Sequence, residues 1–270
     1  ANTGQSWADA YNNLQSALAV AINGNEIWVA EGTYYPTTGT DRAVAFQLKN
    51  GVALYGGFAG VETMRAERDW VAHPTRLSGD IGVPGNSADN SYHVLLGGNV
   101  NASAILDGFI VSGGNANIIS GDYDKGVGML NNNGSPTLVN VVFLNNYATN
   151  HGGGIANQYS GSQPVIVNCV FSGNSTGANG GGIANLWSAN PTVINSTFSL
   201  NAGPNGGGIV NLEGGGATVR NSILWGNTGR AQIDLQSGAT ISVTYSLIQG
   251  GYGLPGDHNL AGDQGGVDGV

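Results

Sequence analysis

Glycoside-type hydrolysis needs two carboxylates at a defined separation, and elimination next to a carboxylate needs a base plus a cation or an Arg/Lys to neutralise that carboxylate. From Gly126 to Leu212 the chain has no Asp, Glu, Lys or Arg. That stretch can host neither machinery, and its His151 stands among glycines without a visible partner. Charge gathers ahead of it, in Glu62, Arg65, Glu67, Arg68 and Asp69, with Glu213 and Asp234 beyond it. The upstream group reads either as salt-bridged surface or as an enzyme site in the loops of residues 59–90. Two groups offer the hard oxygens that Ca²⁺ prefers: Asp80 with Asp89 and Asn90, and Asp122 with Asp124. Neither spacing fits an EF-hand loop, and Asx turns account for Asp and Asn beside Gly without any ion. No catalytic residue is assigned. Cys169, the lone cysteine, excludes an intrachain disulfide and reads as a packed, inert thiol with no electropositive neighbourhood.

The element that must position these residues is a repeat. Val139-Asn-Val-Val-Phe143-Leu-Asn-Asn146 returns as Val167–Asn174, as Ile194–Asn201 and, more loosely, as Arg220–Asn227. Its leading asparagines, Asn140, Asn168, Asn195 and Asn221, are spaced by 28, 27 and 26 residues. A second motif keeps the same period: Gly152-Gly-Gly-Ile155-Ala-Asn157, Gly180–Asn185 and Gly206–Asn211, with Gly126–Asn131 before them. Each period has room for three short β runs and contains no helical spacing. Such strands, laid end to end around a coil, pair with their equivalents one period later in a parallel ladder at ~4.8 Å. The fold class that follows is all-β, a parallel β-helix of about 26–28 residues per coil. Val139, Val167 and Ile194, and Phe143, Phe171 and Phe198, are expected as interior columns. The four leading asparagines are expected as turn-forming, inward-pointing ladders. The glycine triplets read as tight corners, since no Lys-Ser/Thr follows to make a phosphate loop.

One domain is expected over residues 1–270. Trp7, Tyr11, Leu14, Leu18 and Ile22 recur at helical spacing, so residues 6–23 are predicted as an amphipathic helix capping the open end of the coil. Membrane-surface binding is disfavoured for this helix, which has no Lys or Arg. Residues 26–125 form less regular coils with long loops, 126–249 the regular coils, and 250–270 a Gly/Asp-rich tail. That tail has little apolar material to close the lower end, which leaves a surface for a neighbouring domain or a second copy.

These motifs, together with Leu106-Asp-Gly-Phe109, Glu26-Ile-Trp-Val-Ala-Glu-Gly-Thr-Tyr34, Tyr55-Gly-Gly-Phe58 and Leu77-Ser-Gly-Asp80, resemble bacterial secreted and cell-surface right-handed parallel β-helix proteins, including those with polymorphic-outer-membrane-type repeats. The resemblance covers roughly residues 5 to 255 and implies a right-handed coil of the pectate-lyase-like superfold. It implies the fold strongly and the activity only weakly, because the group is known mainly as parts of large surface proteins of unassigned function. Where such proteins tend to continue with an Asp-Pro-Leu-Phe-like segment, this chain reads Gly262-Asp-Gln-Gly-Gly-Val267.

A net charge of −9 argues against nucleic acid and anionic membranes as partners. No apolar run approaches the ~18 residues of a membrane span. A start at Ala1 is what a mature exported product would show. Two residues beyond Asn157, Asn185 and Asn211 come Tyr159, Trp187 and Glu213, which should align on successive rungs as a candidate glycan-binding edge. The competing reading folds both rings over Pro164 and Pro191. Trp225, outward where earlier coils carry Ser172 and Ser199, could contact a neighbour. The expected role is a non-catalytic extracellular structural or adhesive module, binding glycan or assembling with itself. The alternative is a polysaccharide lyase or glycoside hydrolase with its site in the N-terminal loops.

Overall fold

The computed structural model describes residues 2–119, 121–251 and 258–262, with side chains through residue 260. Strands from successive periods stack in register and in parallel. They build sheets of eight, nine and seven strands, with a small three-stranded sheet beside them. The chain is a right-handed parallel β-helix. In a representative coil, Thr137–Val139 lies in the first sheet, Val142–Leu144 in the second and Ile155–Gln158 in the third.

One inward residue per strand forms each core column. Leu54, Leu106, Leu138, Ile166, Val193 and Val219 stack through the first sheet, and every one is fully buried. In the second sheet the Phe143, Phe171 and Phe198 rings stack with centroids 5.0 and 4.5 Å apart. Met129, Ile155, Ile183 and Ile209 fill the third. Side chains repeating at one height interlock and exclude water along the whole axis, which is what lets a glycine-rich chain keep a core.

Corners between sheets are made by left-handed residues. Asn140, Asn168, Asn195 and Asn221 have φ between 49° and 54°, so they do form turns. Their inward placement is corrected: the last three are exposed, Asn140 is half-buried, and the one amide bond along the column, Asn168 Nδ2 to Asn140 Oδ1, is a long 3.5 Å. The left-handed residue bends the chain outward and shifts the in–out alternation, so Val139, Val167 and Ile194 are only half-buried while their predecessors point inward. Two other columns are the buried ladders. Asn131, Asn157, Asn185 and Asn211 are linked amide to amide at 2.7–2.8 Å, and Asn146, Asn174, Asn201 and Asn227 at 2.8–3.0 Å.

Within the triplets Gly152 is left-handed (φ 63°), and a Cβ on Gly154 would lie 2.5 Å from the oxygen of Gly182. Just after each leading asparagine runs a further ladder, in which the N–H of Cys169 donates to Ser196 Oγ, that of Ser196 to Ser222 Oγ and that of Ser222 to Ser246 Oγ. Cys169 occupies a serine position in it, fully enclosed, and burial pushes its thiol up to about 12. It is a packing residue.

The N-terminal cap is shorter than the spacing predicts. A 3₁₀ turn, Trp7–Asp9, precedes a helix of Leu14–Val20, which starts at Asn13, whose side chain accepts from Gln15 N. Leu14, Leu18 and Ala21 face the core, whereas Ile22 is exposed. Lys49 Nζ donates to Leu18 and Ala21 oxygens at the helix's C-terminal end, where a cation is favoured. Trp7 turns sideways instead and packs on Trp28 and Phe58, 6.4 and 5.5 Å away, outside the coil.

Candidate functional site

The corner after the third sheet carries a column of left-handed residues: Asn133, Tyr159, Trp187, Glu213 and Ser237, with φ from 51° to 70°. Asn tolerates this conformation, but for other non-glycine residues it is uncommon and costs of order 1–3 kcal/mol. Tyr159 and Trp187 nevertheless occupy it on consecutive rungs, as register pairing at Asn157 and Asn185 requires. Their centroids are 5.1 Å apart with planes 20° from parallel, and they remain 43% and 37% exposed. The rings therefore overlap face on face. Each offers its outer face and edge, in place of one broad coplanar platform. Glu213 follows one rung beyond Trp187 and is exposed.

The charged loop around residues 59–73 is tied down locally. Glu62 accepts from the amides of Ala59, Gly60 and Val61 at 2.6–3.0 Å. Amides of Met64 and Thr63 hold Glu67 below the usual carboxylate range, and those of Ala72 and Val71 do the same for Asp69. Arg65 reaches Glu26 at 2.5 Å. Arg68, nearly buried, pairs with Asp107 at 2.6 Å, donates to Gly56 and Asp107 oxygens, and lies between the Tyr55 and Trp70 rings. Residue chemistry here straps the loop onto the outer face of the first sheet. A different grouping was missed in the sequence: His73 Nδ1 sits 2.9 Å from Glu31 Oε2, next to a shallow cleft of ≈ 350 Å³ lined by Glu31, Gly32, Thr33, Pro74 and Arg76. The in-register pairing of Thr33 with Arg76 brings these together, and only a sheet alignment could have revealed it.

Of the metal candidates, Asp122 and Asp124 are bridged by their own cation. Lys125 Nζ is 3.4 Å from Asp122 and 3.1 Å from Asp124. The remaining oxygens of the two acids accept from Asn132 and Asn150. Asp80 accepts from Gly85 N and Asp89 Oδ2 from Val83 N. Among the described residues no three His, Cys, Asp or Glu gather in one metal-binding group. His151 has a partner after all, the Asn179 amide one coil further on at 3.1 Å, and burial with the nearby Lys125 pushes its pKa down. Asp234 is buried and bonded to Gln236 Nε2. No described helix is long and apolar enough to cross a membrane.

Parallel coils, inward amide ladders and a helix over one end define the class, a right-handed β-helix solenoid. Residues 125–254, essentially the regular coils, match the family model described as right handed beta helix region. No curated protein and no solved structure matches the chain significantly. The fold is consistent with pectate-lyase-like and polymorphic-outer-membrane-type repeat proteins, a type often found in secreted and cell-surface bacterial proteins and typical of structural, adhesive or carbohydrate-active ones.

Proposed function

We propose that this β-helix is a non-catalytic structural or adhesive module, exported to the bacterial surface or beyond, that binds glycan at the Tyr159–Trp187–Glu213 corner. The observation that carries this reading is the overlapped, exposed aromatic pair held in left-handed backbone, flanked in the same column by Asn133 on one side and Glu213 on the other. Backbone strain of this kind persists where the surroundings over-determine it and clusters at functional positions. A pyranose stacks its C–H face on the outer face of Trp187, and Glu213 accepts from its hydroxyls.

A second reading rests on the open cleft shared by Glu31 and Arg76 with His73 at its side. An Arg beside a carboxylate–imidazole pair supports polysaccharide-active chemistry. One experiment separates the two. The protein is incubated with neutral and acidic polysaccharides, and glycan and protein are followed separately by size-exclusion chromatography. Co-elution without loss of glycan size, abolished in Trp187→Ala with Tyr159→Ala, supports binding. Progressive shortening of glycan, abolished in Glu31→Gln, replaces that reading with the enzymatic one. Protein eluting as a large species without glycan points to self-assembly.

A further inference from the structure

The aromatic corner carries one charge, and it is negative. Trp187 and Glu213 stand on consecutive rungs: the N–H of Leu212 donates to Asn185 O at 2.8 Å, and a Cβ on Gly214 would lie 3.4 Å from Ser188 Oγ. Their φ values, 51° and 53°, also match. One backbone conformation repeated a rung apart starts the two side chains in parallel, with bases ~4.8 Å from each other. Trp187 is therefore flanked by the Tyr159 ring on one rung and by the Glu213 carboxylate on the next.

Other aromatic and acidic side chains spend their polar atoms inside the protein. Trp7 Nε1 donates to Glu62 O, Trp28 Nε1 to Glu26 and Tyr34 Oη to Ala30 O. Among the described residues, the ion pairs use Glu26, Glu31, Asp107, Asp122, Asp124 and Asp234. Glu213 has no such partner among them. No Lys or Arg occurs in the sequence between Lys125 and Arg220. Lys125 is matched by Asp122 and Asp124, and Arg220 lies at the far end of the strand Thr218–Arg220 that leaves the corner. Stacking on Trp187 is indifferent to a sugar's charge, so the carboxylate beside it decides which sugars stay. A uronic acid set there brings like charges together. An ammonium gains an exposed ion pair and the attraction of the indole face.

We infer, resting on the glycan-binding reading of this corner, that its ligand is an amino-sugar polymer of the glucosamine type. The pyranose ring stacks on Trp187 and its ammonium donates to Glu213. Neutral sugars bind by stacking alone, and polyuronates are rejected.

The test measures binding of the full chain, by calorimetry, to oligomers of glucosamine, N-acetylglucosamine and galacturonic acid of equal length, at about 10 mM and about 1 M NaCl. At low salt the glucosamine oligomer should bind about two- to fivefold more tightly than the acetylated one, the worth of an exposed ion pair. High salt should erase that difference, and the galacturonate oligomer should give no heat. Glu213→Gln should make the two amino-sugar oligomers equal without changing the acetylated one, and Trp187→Ala should abolish both. Equal binding of the two in the unmodified chain, or a galacturonate oligomer held through Trp187, overturns the charge selection and leaves the glycan reading standing. Glucosamine binding that survives Trp187→Ala is general attraction to a chain of net charge −9 and overturns the inference. Binding of none of the three removes the glycan reading and this inference together.

Discussion

Replacing Asn174 by alanine cuts one ladder in its middle. Its Nδ2 donates to Phe143 O at 2.8 Å and to Asn201 Oδ1 at 3.0 Å, and its Oδ1 accepts from Asn146 N at 3.2 Å and Asn146 Nδ2 at 3.0 Å. Four hydrogen bonds at about 1 kcal/mol net each give a loss of about 4 kcal/mol. The partners stranded are fully buried, so water cannot replace what is lost. At about 2 °C per kcal/mol for a chain of this size, Tm should fall by about 8 °C. The informative comparison is Asn168→Gly, which keeps the left-handed turn and removes an exposed amide, for a cost within about 0.5 kcal/mol. Equilibrium denaturation followed by circular dichroism measures both. If Asn168→Gly proves as damaging as Asn174→Ala, the assignment of inward and outward columns is wrong.

Truncating Arg68 to alanine leaves Asp107 nearly buried without its ion pair, and should destabilise the protein by about 3–5 kcal/mol. A double-mutant cycle with Asp107→Ala should show strong coupling, and additivity of the two losses would contradict the strap. His93 is buried with Nδ1 on Gly126 O, and burial pushes its pKa below the ordinary 6.5 despite the opposing pull of Asp122 and Asp124, while Lys125 adds to the depression. Below about 6.5 the unfolded chain therefore binds more protons than the folded one, so stability is full above that pH and declines as pH falls towards the folded-state pKa. His93→Asn should flatten that decline between pH of about 7 and 5, leaving a smaller slope from His151; an unchanged slope in urea titrations would refute it.

The period made the architecture legible, because a 26–28-residue repeat with three short apolar runs has few other ways to bury them. What misled was phase. A left-handed Asn between two strands adds a bend that strict alternation does not contain, so Val139 and Asn140, expected inside, are only half-buried, while Leu138 and Asn146 are enclosed. Helical spacing from Trp7 to Ile22 overstated the cap, since Trp7 finds its partners in Trp28 and Phe58 on the outer wall. The aromatic corner was readable by counting from Asn157 and Asn185, although the face-on overlap of the rings was not. The expectation about the tail falls mostly on residues 252–257 and 263–270, outside the described residues.

The buried asparagine ladders have a direction: each amide gives its proton to the next coil and takes one from the coil before. An inserted copy of a whole coil would receive and return the same bonds, leaving its neighbours' valences as they were. Gene-level duplication of about 26–28 residues thus lengthens the rod by ~4.8 Å without reworking either end. Reach, the distance between the aromatic corner and the far end of the coil stack, becomes a quantity that evolution can adjust in fixed increments.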